Sequence, residues 1–257
     1  MRARTERMLY RLHWLTEAGG ECWLSQDRAL PSWVYEQGLA RQLQRLEGQG
    51  QVETRKGPRG CGREVRLTES GAAACALRAD PVARWSRHWD GAWRMVLFDV
   101  PEQARTVRAR LRQRLVREDF GCLQQSVWIA ADAAGEWIGD LRSAEPEVAA
   151  LVMFEARTVA GDDAAAMVAQ AWNFDAINRA WCELATHLDA MPADVRCDGP
   201  SSWEWIARER ELAKHGLKLD PLLPESLIPR GYPGREVWGR RQRTLAGLRA
   251  EWGWDQG

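Results

Sequence analysis

The 257-residue sequence predicts an α+β protein made of three segments in order along the chain. Residues 1–79 show three helical patterns followed by a hairpin with a basic tip, which is the outline of a winged helix-turn-helix. Residues 86–160 alternate strand, helix, strand, helix and strand, a pattern typical of a small ferredoxin-like α/β domain. Residues 161–257 show mostly helical periodicity. We expect three domains with these boundaries.

Composition excludes several classes of protein. Charged residues make up 28% and hydrophobic residues 45%, as in soluble globular proteins, and 36 Lys and Arg balance 36 Asp and Glu. Because the net charge is zero, attraction to nucleic acid has to come from local patches. Six scattered cysteines without a C-x-x-C pair argue against structural zinc and fit reduced thiols. No apolar run reaches the roughly 18 residues of a membrane span, and no signal peptide is evident. We therefore expect a cytoplasmic protein with no membrane contact.

Tryptophan is unusually abundant, with 15 Trp against 4 Phe and 3 Tyr. Most of these rings are expected to anchor cores and interfaces, because the indole buries a large apolar area. Stacking on a base or a ligand is a sharper alternative for one or two of them.

The first segment is expected to contain a helix over residues 4–18, a short helix near Pro31 and a third helix over residues 35–47. In the third helix, steps of 100° place Leu39, Leu43 and Leu46 on one stripe. The opposite side then carries four polar residues: Gln37, Arg41, Gln44 and Arg45.

Residues 51–67, QVETRKGPRGCGREVRL, predict a β-hairpin, because two alternating runs flank a turn rich in Gly and Pro. Its tip is basic through Arg55, Lys56, Arg59 and Arg63. In a winged helix-turn-helix the third helix enters the major groove and the hairpin touches the DNA backbone. Arg can pair with guanine and Gln with adenine, while Lys and Arg neutralise phosphates. Residues 1–79 hold 13 Lys or Arg against 9 Asp or Glu. We therefore predict that these eight helix and hairpin residues bind double-stranded operator DNA, although winged helices also serve as protein-interaction modules.

The middle segment begins with WRMVLFDVPE, residues 93–102. Residues 93–99 predict a strand and residues 101–117 a helix with six arginines. CLQQSVWIAA, residues 122–131, is a strand region, residues 134–143 a short helix, and residues 148–158 another strand. We expect this domain to dimerise.

Asp99, at the end of the first of these strands, has two interpretations. A carboxylate at a strand end is where many hydrolases hold a metal, and this would favour a metal-dependent nuclease. Asp99-Val100-Pro101-Glu102 also fits the D-x-x-E capping box, with Pro101 in the first helical turn, where its missing N–H costs nothing. Cap, proline and glutamate explain the whole stretch, so we predict a cap and no metal.

Three motifs carry a resemblance to a known family. FDVPE, the Arg-rich helix and DFGCLQQSVWIA together resemble the middle domain of the PaaX family. LDPLLPESLIPRGYPGREV, residues 219–237, resembles that family's proline-rich signature, with Tyr232 where the family usually has Trp. The resemblance implies a repressor of phenylacetate-degradation type, released by an aryl-acetyl-CoA thioester. The middle segment is also similar to small ferredoxin-like nuclease subunits of CRISPR adaptation systems, in which an Asp at the end of the first strand can bind a metal.

The last segment is expected to sense an effector, to dimerise, or to do both. Its proline-rich stretch is too rigid and apolar for a simple linker, so we expect it to shape a groove against another domain. Basic and aromatic side chains near it suit the phosphates and rings of a nucleotide-like ligand. The predicted effector-binding residues are Trp203, Trp205, Arg208, Lys214, Arg230 and Trp238.

No nucleotide-binding loop, nucleophile elbow or zinc-protease motif is present, so we predict no catalytic residues and no cofactor. The sequence predicts a homodimeric, DNA-binding transcriptional repressor released by a small effector. The alternatives are a metal-dependent nuclease built on the middle domain and an interaction adaptor that binds no DNA.

Overall fold

The computed structural model describes residues 3–19, 23–25, 32, 38, 40–57, 62–77, 80–101, 103–133, 150–159, 163–196 and 199–251. The helices predicted near Pro31 and over residues 134–143 fall largely or wholly outside these residues, as do Gln37, Leu39 and Arg59. The chain divides into two compact units. Unit 1 comprises residues 1–79, 183–214 and 236–257, and unit 2 comprises residues 80–182 and 215–235. Both units contain residues of the C-terminal segment, and the three predicted domain boundaries stay a prediction.

The helices and strands of the first segment all belong to unit 1. In chain order they are α1 (Ala3–Gly19), β1 (Leu24–Ser25), α2 (Ala40–Gly48), β2 (Val52–Lys56), β3 (Arg63–Leu67) and α3 (Glu69–Cys75). The predicted first helix is confirmed, and its apolar residues Met8, Leu12 and Leu15 are fully buried. The predicted hairpin is confirmed as well, since β2 pairs antiparallel with β3. β1 adds a third strand, giving the order β1-β3-β2.

Helix α3 follows the hairpin directly and was not predicted from the sequence. The side chain of Thr68 accepts a hydrogen bond from the backbone N–H of Gly71 and so caps the helix. Gly71 is required there, because a Cβ atom at this position would lie 2.1 Å from the backbone oxygen of Gln51. The start of α3 is thereby fixed against the end of α2.

The remaining segments form the other elements. They are α4 (Pro81–Ser86), β4 (Trp93–Asp99), α5 (Arg105–Arg117), β5 (Gly121–Gln124), β6 (Val127–Ala130), β7 (Ala150–Ala156), α6 (Ala164–Ala171), α7 (Phe174–Asp189), α8 (Pro200–Leu219) and α9 (Gly234–Glu251), with short 3-10 helices at Ala193–Arg196 and Glu225–Leu227.

Unit 2 contains a four-stranded antiparallel sheet with the order β5-β6-β4-β7. Helix α5 packs on one face, where Leu111 and Leu115 meet Val96, Phe98 and Trp128 in a buried core. These contacts follow from the sequence pattern, because alternate strand residues and every third or fourth helix residue are apolar. The predicted strands at residues 93–99, 122–131 and 148–158 are confirmed within a few residues.

The capping box predicted at Asp99 is wrong. Asp99 is the last residue of β4, where it pairs with Ala150, and α5 begins only at Arg105 with no side-chain cap. The reason is the burial of Val100, which is 3% exposed and packs in the sheet–helix core, so the chain cannot turn into a helix at Asp99. The guanidinium of Arg108 donates a 2.6 Å hydrogen bond to the carbonyl of Val100 and holds this connection.

The helical periodicity of residues 164–188 is divided between two helices, α6 and α7. Trp172 breaks it with an extended backbone, φ −124° and ψ 141°. Its indole packs closely on Gly121 of β5, where a Cβ atom would lie only 2.5 Å from the ring. Asn173 then caps α7 by accepting a hydrogen bond from the N–H of Ala176 at 3.0 Å.

Asp220 organises the proline-rich stretch of unit 2. Its buried carboxylate accepts hydrogen bonds from the indole N–H of Trp181 and the backbone N–H of Leu222, both at 2.8 Å, and from the hydroxyl of Tyr232. Burial raises the pKa of Asp220, and the three donors work against that rise. Gly234 completes the arrangement, since a Cβ atom there would collide with the Tyr232 hydroxyl. The motif DPLLP…GYPG is thus held together by one carboxylate.

We predict that Asp220→Asn lowers the free energy of unfolding by about 1–3 kcal/mol, because its NH2 group replaces one accepting oxygen and would face a donor. The measurement is urea unfolding followed by tryptophan fluorescence. Asp99→Asn, at the exposed end of β4 in the same unit, is the matched control and should unfold like the wild type. Equal stabilities of the two variants would contradict the role given to Asp220.

Candidate nucleic-acid interface

Helix α2 exposes the polar stripe predicted for it. Arg41, Gln44 and Arg45 are all exposed, and they lie at the i, i+3 and i+4 positions that share one face of a helix. Leu46, on the other side, is fully buried. The structure therefore brings together the three described residues of the predicted base-reading set, whereas Gln37 lies outside the described residues.

Two side-chain hydrogen bonds fix the position of α2 in unit 1. The hydroxyl of Thr5 in α1 donates to the side-chain oxygen of Gln42 at 2.8 Å. The hydroxyl of Thr54 in β2 donates to the carboxylate of Glu47 at 2.6 Å. The helix is thus tied to α1 on one side and to the hairpin on the other.

The hairpin carries two cross-strand ion pairs in its middle. Glu53 pairs with Arg66 at 2.5 Å, and Arg55 pairs with Glu64 at 2.6 Å. The guanidinium groups of Arg55 and Arg66 also lie over the ring of Trp23, at 4.0 and 4.8 Å from its centroid. Arg55, predicted as a phosphate contact, is exposed but already has partners within the protein. No pattern in the sequence indicated its stacking on Trp23.

The tip of the hairpin is different, because two cations face each other there. Lys56 and Arg63 are directly opposite in the antiparallel register, and both are exposed. Neither forms an ion pair with a carboxylate among the described residues. Like charges directly opposite each other destabilise a strand pair. The hairpin tip therefore carries two positive charges that no described carboxylate neutralises. Arg59, also predicted to contact phosphate, lies outside the described residues.

The surface formed by α2 and the hairpin is positively charged, although the chain as a whole is neutral. The described residues 40–57 and 62–67 hold six cations against three carboxylates. All three carboxylates are engaged locally: Glu47 with Thr54, Glu53 with Arg66, and Glu64 with Arg55. The positive charge of Arg41, Arg45, Lys56 and Arg63 is thus available to an external anion.

The predicted effector residues do not form an open aromatic clamp. Trp203, Trp205 and Trp238 are 4–8% exposed, and each ring already meets a protein group. Trp203 packs edge-on against Trp14 at 5.8 Å, Trp205 stacks on His187 at 4.9 Å, and Trp238 carries the guanidinium of Arg241 at 4.7 Å.

The charged members of that predicted set lie at the surface. Arg208 pairs with Glu211 at 3.4 Å, Lys214 pairs with Glu6, and Arg230 is exposed in unit 2. An effector site built from these six residues stays a prediction.

Asp99 is exposed at the end of β4. Within the described part of the chain, no group of three or more His, Cys, Asp or Glu side chains is placed to hold a metal ion.

None of the described helices is both long enough and apolar enough to cross a bilayer.

We predict that Lys56→Glu stabilises the hairpin by about 0.2–1 kcal/mol at low salt, because it places a carboxylate opposite Arg63. The measurement is the free energy of unfolding of the DNA-free protein. Lys56→Gln, which removes the repulsion without creating a pair, should fall between the wild type and Lys56→Glu. A gain that did not shrink at high salt, or no gain at all, would contradict the electrostatic account of the tip.

Comparison with known proteins adds two findings. Residues 86–168 match a family model described as the PaaX protein central Cas2-like domain. The solved structure of the uncharacterized protein Rv0674 from Mycobacterium tuberculosis superposes with a TM-score of 0.58 at 22% identity, covering 84% of this chain and 82% of that chain. At that identity the likeness shows a shared fold. The comparison with curated proteins found no match.

The match to the family model falls on the sheet and helix of unit 2 that the motifs FDVPE and DFGCLQQSVWIA predicted. The antiparallel sheet with α5 on one face fits the ferredoxin-like fold expected of a Cas2-like domain. The resemblance to the middle domain of PaaX proteins is confirmed over residues 86–168, which match the central Cas2-like domain.

Proposed function

We propose that this protein is a DNA-binding transcriptional repressor that acts as a homodimer. The observation that carries the proposal is the surface formed by α2 and the hairpin tip. Its cations have no described carboxylate partner, while every described carboxylate of the same elements is engaged elsewhere. The family match supports a regulator as the class of protein.

In this proposal the elements α1, α2, β2 and β3 belong to a winged helix-turn-helix with α2 as the recognition helix. An α-helix with its side chains is about 10–12 Å across, so α2 fits a major groove about 12 Å wide. Arg41 is assigned to a guanine edge and Gln44 to an adenine edge, because these side chains match those bases with paired hydrogen bonds. Arg45 lies beside them for a base edge or a phosphate.

The hairpin tip is assigned to the DNA backbone. Lys56 and Arg63 would place their charges on phosphates, and a phosphate between them would replace their mutual repulsion with attraction. Arg55 is assigned a supporting role, because its ion pair with Glu64 and its stacking on Trp23 stiffen the strands that present the tip.

The dimer is assigned to the outer strand of the unit 2 sheet. β7 lies at the end of the order β5-β6-β4-β7, and its side chains Val152 and Phe154 are 42% and 50% exposed. An edge strand with exposed apolar side chains tends to pair with another chain. Two copies pairing through β7 would be related by a two-fold axis, which matches inverted half-sites in the operator.

A small effector that lowers DNA affinity completes the proposal. The resemblance to PaaX proteins suggests an aryl-acetyl-CoA thioester for that role.

We predict that Arg41→Ala and Lys56→Ala affect DNA binding in different ways. Arg41→Ala should cost about 1–3 kcal/mol on duplexes selected from a random pool, and should relax the preference at one base pair. Lys56→Ala should weaken selected and random duplexes alike and reduce the salt dependence by about one counterion. Fluorescence anisotropy at several salt concentrations measures both effects.

Asp99→Asn is the matched control for charge in these assays, and its DNA affinity should equal that of the wild type. Equal weakening of selected and random DNA by Arg41→Ala would contradict the assignment of α2. Failure of the wild type to enrich any duplex would favour the adaptor alternative. Cleavage of DNA in Mg²⁺ or Mn²⁺ that is lost in Asp99→Asn would favour the nuclease alternative.

For the dimer, we predict that Phe154→Arg gives a monomer in sedimentation velocity at micromolar concentration, because it places charge in an apolar interface. Val159→Arg is the control, since Val159 is 71% exposed and lies beyond the end of β7. A wild-type monomer, or a Phe154→Arg variant that stays dimeric, would remove β7 as the interface.

A further inference from the structure

Unit 1 contains a cleft between α1 and α8 that the proposed DNA contacts do not use. Its volume is about 180 Å³. The buried side chains Tyr10, Ala207 and Arg210 contribute to its lining, and Glu6, Glu211 and Lys214 lie nearer the solvent. The cleft thus combines an apolar wall, a buried cation and a charged opening.

Arg210 is the unusual member of this set. It is only 7% exposed, yet no described carboxylate lies within ion-pair distance of it. One terminal nitrogen donates to the carbonyl of Cys75 at 2.6 Å, and the guanidinium lies 3.9 Å from the centroid of the Tyr10 ring. Its Nε atom is buried without a hydrogen-bond partner. A buried cation and an unused buried donor are both unfavourable unless an anionic acceptor binds there.

Arg241 shows how this unit treats a buried guanidinium that has a partner. Arg241 is as buried as Arg210, and it pairs with the fully buried carboxylate of Glu209. Glu209 thus neutralises Arg241 inside the protein by a direct ion pair. The carboxylate of Glu6 acts on Arg210 only through its charge, because its hydrogen bond goes to Lys214. Among the described residues, Arg210 has no carboxylate in direct contact, and an acidic ligand would supply one.

Two further side chains suit a carboxylate ligand. Burial raises the pKa of Tyr10, so its hydroxyl keeps its proton; the hydroxyl accepts from Arg210 and can donate that proton to a carboxylate. At the opening, Lys214 of α8 pairs with Glu6 of α1, and its hydrogen bond holds the pKa of Glu6 below the ordinary value. The Lys214 ammonium can exchange this partly exposed partner for a ligand carboxylate without losing an ion pair.

We propose that the cleft between α1 and α8 binds a small organic carboxylate, with its charge on Arg210 and Lys214 and its apolar body against Tyr10 and Ala207. The volume lies below the roughly 300–1,000 Å³ of pockets for drug-sized ligands. A CoA thioester therefore cannot be enclosed here, and the site is distinct from one for that effector.

The cleft has a direct route to α2. Glu6 follows Thr5 in α1, and Thr5 donates the hydrogen bond to Gln42 that holds α2. A ligand that forms an ion pair with Lys214 would break the Lys214–Glu6 pair. This changes the contacts of the helical turn of α1 that contains Thr5. Binding of the acid is therefore expected to alter DNA affinity, and this consequence rests on the proposed function.

The test of the site is a titration of the full-length protein with hexanoate and benzoate, each compared with its neutral amide. Calorimetry gives the affinity, and nitrogen–proton correlation spectra report the Nε–H of Arg210 directly. The acids should bind and shift that signal. The amides should bind about tenfold more weakly or not at all, because they lack the charge-assisted hydrogen bonds. Absence of binding at millimolar concentration, or equal binding of acid and amide, would overturn the proposal.

Variants locate the site within α8. Lys214→Ala should weaken acid binding about tenfold by removing one charge-assisted contact, and Arg210→Lys should weaken it similarly while retaining a positive charge. Lys218→Ala is the matched control, because Lys218 is exposed on the same helix and does not line the cleft. Unchanged binding in both Lys214→Ala and Arg210→Lys would also overturn the proposal.

A final arm measures DNA affinity with and without saturating acid. A change in the wild type that is absent in Lys214→Ala supports the link between the cleft and α2. If the acid binds but DNA affinity is unaffected, the route through Thr5 is wrong. If the chain binds no duplex at all, the proposed function fails while the titration still decides the cleft.

Discussion

The opposition of Lys56 and Arg63 at the hairpin tip is the interaction on which the functional account depends. Folding brings these two cations together by the register of β2 and β3, while the two ion pairs behind them use the nearby carboxylates. Such an arrangement lowers the stability of the free protein. Binding of an anion between the two cations would restore the lost stability. The hairpin tip therefore favours a negatively charged partner. A neutral chain can in this way present a strongly positive surface of limited size.

Buried polar groups have two different roles in this protein. In unit 2, Asp220 accepts hydrogen bonds from three donors and holds the proline-rich motif, so its hydrogen-bonding capacity is used within the protein. In unit 1, the charge of Arg241 is likewise neutralised within the protein by its ion pair with Glu209. Arg210 is the contrasting case, because it contacts a carbonyl and an aromatic ring but no carboxylate directly among the described residues. The difference between satisfied and unsatisfied buried charge separates structural polar groups from the group that we assign to a ligand.

Local periodicity was sufficient to predict α1, the hairpin, the strands of the unit 2 sheet and the exposed stripe of α2, because each shows an alternating or helical apolar pattern. Features that depend on distant contacts were missed. Val100 is drawn into the core and displaces the start of α5, so the cap predicted at Asp99 does not form. Trp172 packs on Gly121 and divides a continuous helical pattern.

In the candidate interface, the pairing of Arg55 with Glu64 depends on strand register. The stacking of Arg55 depends on Trp23, which precedes the hairpin by about thirty residues.

Hydrogen exchange of the full-length protein, with and without a selected duplex, tests the central claim most directly. The rival surface is α5, whose six arginines would also attract DNA. The account predicts slower amide exchange in α2 and at the ends of β2 and β3 next to the tip on adding DNA, with α5 unchanged. Slower exchange confined to α5, with α2 and the hairpin unaffected, would contradict it.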